Sequence, residues 1–266
     1  MADPAPRLRA ALARHPALAI AVSGGVDSMT LATFAHRNAP RITVFHAVSP
    51  AVPAEATARV QTLAAHEGWA LTVTGAGEFD DPRYRDNPHD RCFFCKANLY
   101  DRIRSLTADP IASGANRDDL GDYRPGLIAA AQRDVVHPMV EAGMTKPDVR
   151  ALAAALGLGD IAELPAQPCL SSRVETGIAI DPADLAFIEA TERALTRLAG
   201  PQATLRCRIT RDGVAAVAGD PNYRTAMPIY RGLMSDEDIV AVLSWIQSRW
   251  PEDVRAKHDQ INAQSR

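Results

Sequence analysis

At 266 residues the chain is long enough for one large domain with a smaller companion. Its 47% hydrophobic and 23% charged residues are an ordinary soluble balance, which excludes a disordered or fibrous chain. A formal charge of −3 argues against a dedicated nucleic-acid binder, which carries a basic excess, and no apolar run reaches the length of a membrane helix.

The opening stretch "MADPAPRLRAALARHP" alternates Arg with Ala and Leu and lacks the unbroken apolar core of a secretory leader. It reads as a short amphipathic helix, and the expected compartment is the cytoplasm, where thiols stay reduced. The four cysteines are therefore read as metal ligands, reactive thiols or buried filler.

"ALAIAV" (17–22) is an apolar run of strand length closed by "SGG", and "DSMTLATFAHR" follows with helical spacing. "RITVFHA" (41–47) is a second strand, "AEATARVQTLAAHEG" (54–68) a helix with a glycine stop, and "ALTVT" (70–74) a third strand. Strands alternating with helices predict an α/β fold: a parallel sheet with helices on both faces. The alternation continues through the helix "ANLYDRIRSL", the short strand "DPIASG", the helix "GLIAAAQR" and the helix "TKPDVRALAAALGLG", with Thr145 as cap and Pro147 in its first turn. Residues 160–181 read as loop. Beyond them come a helix at about 183–199, strands "ATLRCRIT" and "VAAVAG", and a helix "SDEDIVAVLSWIQSRW". The expected division is a domain over 1–175 and a smaller α+β domain over 176–266.

"SGGVDS" (23–28) closes the first strand and opens a helix, the place where a parallel sheet binds its nucleotide. Gly24 and Gly25 let the backbone approach an anion, Ser23 and Ser28 add hydroxyls, and the helix start at Val26 adds its positive end. Asp27 would repel bare phosphate and suits Mg2+ instead. The string is neither a Walker loop nor a GxGxxG turn.

Two further polar stretches carry candidate chemistry. "SGANRDDLGDYRPG" (113–126) follows a strand and is too polar for a core element, so Gly114, Asn116, Asp118, Asp119 and Arg124 are placed on the rim of the nucleotide site. His46, after the second strand, falls near the expected adenine position. "PCLSSR" sets Cys169 in a loop beside Ser171, Ser172 and Arg173, where a neighbouring guanidinium favours thiolate. Arg173 suits a phosphate or carboxylate of the substrate. Arg206 and Arg208 share one strand face and form a second candidate anion site, with Cys207 between them pointing into the core.

"NPHDRCFFCKANLY" (87–100) places Cys92 and Cys95 three apart at a helix start, with Lys96 next to them. Such a pair serves zinc (with His89 or His137 completing the set), redox chemistry or an iron–sulfur cluster.

The hexapeptide "SGGVDS" resembles the PP-loop of the ATP pyrophosphatases. That likeness implies a nucleotide α-hydrolase-like fold that cleaves ATP between its α and β phosphates and attaches AMP to a substrate oxygen. "NPHDRCFFCKANLYDRI", the stretch from Ser113 to Leu158, and "PCLSSR" together resemble the LarE-type sulfur transferases over about residues 17–210. These sulfurate a pyridinium dicarboxylate mononucleotide on the way to the nickel-pincer cofactor. The expected catalytic set is Asp27, Arg173, Cys92, Cys95 and Cys169, and the resemblance implies that Cys169 occupies the sulfur-handling position. It also implies a 4Fe–4S cluster held by Cys92, Cys95 and Cys169, and ATP with Mg2+. Ser172, Arg173, Arg206 and Arg208 would bind the mononucleotide, and sulfide or another donor would supply sulfur. A homo-oligomer, free of membrane and nucleic acid, is expected. The chain departs from the family at Ala216 and Ala218, where Arg and Glu are usual, and in its C-terminal segment. Alternatives in the same superfamily are a tRNA or small-molecule thiolase and an amidating ligase with structural zinc; outside enzymes, an ATP-sensing module.

Overall fold

The computed structural model describes residues 4–121, 123–199 and 205–218. The chain divides into two compact units, residues 1–185 and 186–266. The first opens with α1 (Ala5–Leu12), β1 (Leu18–Val22), α2 (Val26–Asn38), β2 (Ile42–Val48), α3 (Ala54–Glu67) and β3 (Ala70–Gly75). It continues with α4 (Pro82–Arg85), α5 (Arg91–Arg104), β4 (Ile111–Ser113), α6 (Pro125–Ala131), α7 (Pro138–Glu141), α8 (Lys146–Ala155) and α9 (Gly159–Ala162).

The four strands form one parallel sheet in the order β3-β2-β1-β4, so the chain is an α/β protein of the kind its alternation predicts. Along β1, Leu18, Ile20 and Val22 pack into one core with α1, α2, α3 and α8, through Leu8, Met29, Val60 and Leu152. Ala19 and the neighbouring Phe45 and Ile111 face a second core closed by Tyr100 and Ile103 of α5 and Ala130 of α6. The period of two thus sends alternate residues to opposite helical layers. Each fully buried Leu or Ile contributes about 1.5–3 kcal/mol, which makes the strand sequence the main determinant of sheet position.

β1 pairs with β2 on one side and with β4 on the other, while the chain reaches β4 only after running outward to β3. The order of strands therefore reverses between β1 and β4. A crevice opens at such a reversal, at the carboxyl ends of the strands. Two segments leave the sheet there: 23–28 after β1 and 114–121 after β4.

The 160–181 stretch, expected as loop, holds part of α9 and a 3-10 turn over Leu170–Arg173. The residues between them, 164–169, are irregular. The second unit contains most of α10 (Pro182–Ala199), which begins in the first, and an antiparallel pair, β5 (Leu205–Thr210) with β6 (Gly213–Ala218). Cys207 is buried on β5, and its amide donates to Glu192 Oε1 at 3.0 Å. The helix expected for "SDEDIVAVLSWIQSRW" lies outside the described residues. Among the described residues no helix is long and apolar enough to cross a membrane.

Candidate active site

The loop 23–28 is tied by one hydroxyl. Ser28 Oγ donates to the carbonyl of Gly25 (3.2 Å) and accepts from the amide of Ser23 (3.1 Å). Gly24 has φ of +84°, and a Cβ there would stand 2.7 Å from the carbonyl oxygen of Ala56. The loop therefore lies directly on the backbone of α3, which only glycine permits. On the other side of the crevice, a Cβ on Gly114 would stand 2.7 Å from both the amide nitrogen and Cα of Ser28. The segment after β4 is thus seated against the start of α2.

That contact brings a polar chain together around Asn116, which is 3% exposed. Asn116 Nδ2 donates to Asp27 Oδ1 at 3.2 Å, and its backbone amide donates to Asp119 Oδ2 at 2.9 Å. Asp119 in turn pairs with Arg124 at 2.7 Å, and Asn116 Oδ1 accepts from the amide of Asp118. The second oxygen of Asp27 meets Lys146 Nζ at 2.5 Å, and the backbone amide of Lys146 donates to Asp118 Oδ2. Asp27 lies in the first turn of α2, where a negative charge is favoured. Lys146 opens α8, where a positive charge is disfavoured. A lysine at that end of a helix was the available sign of a role, and sequence reasoning did not take it up. Carboxylate oxygens on Asp27 and Asp119, flanking one asparagine, suit a hard cation such as Mg2+.

His46 is expected near the adenine, and the structure turns it away from a ligand. It is fully buried; Nδ1 donates to the carbonyl of Val22 and Nε2 accepts from Thr57 Oγ1, both at 2.9 Å. Because a carbonyl can only accept, the ring is the neutral Nδ1–H tautomer, and burial holds its pKa below the usual value. Its side chain joins β1, β2 and α3 and is not presented to a ligand.

The segment bearing Cys169 is anchored at both ends. Arg150 donates to the carbonyls of Ala162 and Leu164. The amide of Leu170 donates to Ala51 O at 2.8 Å, and Tyr84 Oη and Ser171 Oγ, both buried, lie 2.6 Å apart. Arg173, expected at the substrate, is 4% exposed and turned inward: it donates to the carbonyls of Pro168 and Cys169 and to Ser172 Oγ. The Cys169 carbonyl also accepts from the amide and hydroxyl of Ser172, at 3.0 and 2.7 Å. Cys169 itself is half-buried rather than exposed, and the guanidinium beside it meets its carbonyl. Between the anchors, one nitrogen of Arg59 donates to Gly24 O at 2.7 Å and to Gln167 Oε1 at 3.0 Å. Sequence reasoning missed Arg59 because its partners lie 35 and 108 residues away.

Cys92 and Cys95 sit in the first two turns of α5. The segment before them is locked to the segment after Cys169: Asn87 Nδ2 donates to the carbonyls of Glu175 and Ile178, each at 2.9 Å. Cys92 and Cys95 both respond to the charge of Cys169. Cys92 is exposed at the helix start, yet desolvation by the surrounding protein, then the charge of Cys169, raises its thiol against the opposing pull of Arg91 and Lys96. Burial pushes Cys95 up to about 12, with Lys96 opposing and Cys169, Glu78 and Cys92 adding to the rise. Burial would lower Lys96, but the charges of Tyr100, Cys95, Cys92 and Cys169 outweigh it and raise the ammonium. The donor chemistry, three thiols beside one lysine, suits an iron–sulfur cluster. Among the described residues no three Cys, His, Asp or Glu side chains stand together closely enough to hold a metal ion. His89 is exposed, and His137 Nδ1 is engaged with Ser113 Oγ at 2.8 Å. Ser172 stays with the Cys169 loop, whereas Arg206 and Arg208 belong to the second unit.

An α/β sheet with a glycine loop at its reversal point and a polar chain facing it defines a PP-loop-like domain. No protein-family model matches the chain. It is 30% identical over 214 residues to pyridinium-3,5-bisthiocarboxylic acid mononucleotide synthase of Lactiplantibacillus plantarum, covering 77% of this chain and 75% of that protein. It is 38% identical over 195 residues to an uncharacterized protein of Synechocystis, covering 70% and 71%. A shorter match, 29% over 113 residues, joins 41% of the chain to 44% of an uncharacterized Methanocaldococcus jannaschii protein. The chain belongs to the LarE-type family of the Lactiplantibacillus synthase.

Proposed function

We propose that the chain is an ATP-dependent sulfur transferase acting on pyridinium-3,5-biscarboxylic acid mononucleotide in nickel-pincer cofactor synthesis. The observation that carries this is the hydrogen-bonded path from Gly24 of the glycine loop through Arg59 to Gln167, two residues from Cys169. A sulfur-bearing loop joined to a phosphate-binding loop suits activation of an oxygen followed by its replacement with sulfur. The likeness to the Lactiplantibacillus synthase supports the acceptor.

In this mechanism the amides of 23–28 and the start of α2 bind the β and γ phosphates. The substrate carboxylate attacks the α phosphorus, the bond to the bridging oxygen breaks, and pyrophosphate leaves. Asp27 and Asp119 would hold Mg2+, which supplies charge neutralisation on the phosphate oxygens. Asn116 orients Asp27, and Lys146 holds its charge in balance until nucleotide arrives. Hydrosulfide then attacks the acyl carbon, AMP departs with its bonding pair, and loss of the proton on sulfur leaves a thiocarboxylate. Cys92, Cys95 and Cys169 would hold a 4Fe–4S cluster, which would carry hydrosulfide taken from an external donor, so that neither a cysteine nor the cluster's own sulfide is consumed. For that the 164–169 segment has to bring Cys169 to the other two thiols. The second unit, with Arg206 and Arg208, is assigned to substrate binding or assembly.

Anaerobic purification with iron, zinc and acid-labile sulfide analysis tests the cluster: about four irons and four sulfides per chain are expected. One zinc and no sulfide would refute it. Pyrophosphate release from ATP should require the dicarboxylate mononucleotide, and its absence with that substrate present would refute the activity.

A further inference from the structure

Arg59 lies three residues after Ala56 on α3, so both present to one face of the helix. That face is the platform of the glycine loop, since Gly24 packs on the Ala56 carbonyl with no side chain between. From it a single guanidinium nitrogen bridges Gly24 O and Gln167 Oε1. The remaining anchors of the Cys169 segment reach other places: Arg150 comes from α8, Tyr84 from α4, and Ala51 from the turn before α3. Gln167 is exposed, so the Arg59 contact is a tether on a surface residue and not part of a packed core.

We infer that Arg59 is a positioning residue that couples nucleotide occupancy of the glycine loop to the placement of the Cys169 segment, acting through Gln167. A guanidinium binds phosphate oxygens more strongly than neutral carbonyls, because the bond is charge-assisted on both sides. A triphosphate on the loop amides brings such oxygens to the residue whose carbonyl Arg59 already touches. Arg59 then changes its share of Gln167, and the change reaches the chain two residues before Cys169. ATP binding thereby readies the sulfur-bearing loop before any bond is broken. The inference rests on the loop being the ATP site.

The test is amide hydrogen exchange of the peptide spanning 163–169 in the full chain, purified anaerobically, with and without Mg2+ and a non-hydrolysable ATP analogue. Analogue affinity is measured beside it by calorimetry. In the native chain the analogue should change exchange of that peptide by about fivefold or more. In Gln167→Ala, affinity should stay within about twofold while the exchange response disappears. Arg59→Met, which keeps the apolar stem and removes the charge, should also lose the response. Gln167→Ala with a native-sized response refutes the coupling. Analogue binding to the native chain without any response refutes it too, and leaves the ATP site standing. Failure of the native chain to bind the analogue refutes the functional reading and the coupling with it.

Discussion

Replacing Asn87 with glycine tests how the two cysteine-bearing regions are locked together. Asn87 is fully buried in the left-handed region, with φ of +53°. Its amide serves Glu175 O and Ile178 O at 2.9 Å and reaches Val174 O at 3.4 Å, while its Oδ1 accepts from Arg91 at 2.9 Å. Glycine adopts the same φ at no steric cost, so Asn87→Gly removes the side-chain bonds and little else. Two well-formed bonds at about 1 kcal/mol each, plus buried carbonyls left without their donor, give an expected loss of about 2–3 kcal/mol. That corresponds to a fall of about 4–12 °C in Tm for a unit of this size. Asn87→Ala should lose about 1 kcal/mol more, because a Cβ in the left-handed region adds strain. Urea denaturation gives both numbers. Amide exchange at Gly177 and Ile180, which donate to Asn87 O and Arg85 O, shows whether the loss is local. A glycine variant within about 0.5 kcal/mol of the native chain would refute the lock.

Gly114→Ala forces a Cβ to 2.7 Å from the Ser28 backbone, so a loss of about 1–3 kcal/mol is expected from overpacking, with weakened ATP binding by calorimetry. His46 and His137 are both held below the usual histidine pKa, first by burial. The unfolded chain therefore binds more protons, so their contribution is full above the ordinary pKa of about 6.5 and is lost as pH falls through the depressed values. Tm should drop on acidification below about pH 6.5; a flat profile refutes it. Asp81, pulled to about 2 first by Arg83, acts in a separate window and keeps its contribution until the pH falls below the ordinary carboxylate range. With Cys95 pushed up to about 12, its thiolate fraction at pH 8 is about 10⁻⁴, so iodoacetamide should modify it more slowly than Cys92 in metal-free protein, by peptide mass spectrometry.

The sheet was legible because β-rich runs of Leu, Ile and Val are closed by glycine or polar residues, and a local pattern fixes a local element. "SGGVDS" was legible for the same reason: strand, turn and helix start are contiguous. Asn116 and Asp119 were found as a polar block after a strand, but not that Asn116 links Asp27 to Asp119, which depends on β4 lying beside β1. The direction of a long side chain escapes sequence altogether. Arg173 was read as facing substrate, yet the 3-10 turn folds it back on its own loop. His46 is expected near the adenine, yet the Val22 carbonyl of β1 and the Thr57 hydroxyl of α3 enclose it. Arg59 carried no local sign of its task.

The frame around Cys169 is built from its backbone oxygen, which receives the amide and hydroxyl of Ser172 and one arm of Arg173. Among the described residues no hydrogen bond uses its sulfur. A small group added to the sulfur, or removed from it, leaves these supports in place. In metal-free protein, bare and alkylated forms should therefore share the backbone of the Cys169 turn, and a difference between their spectra reports the sulfur and not a refolded loop.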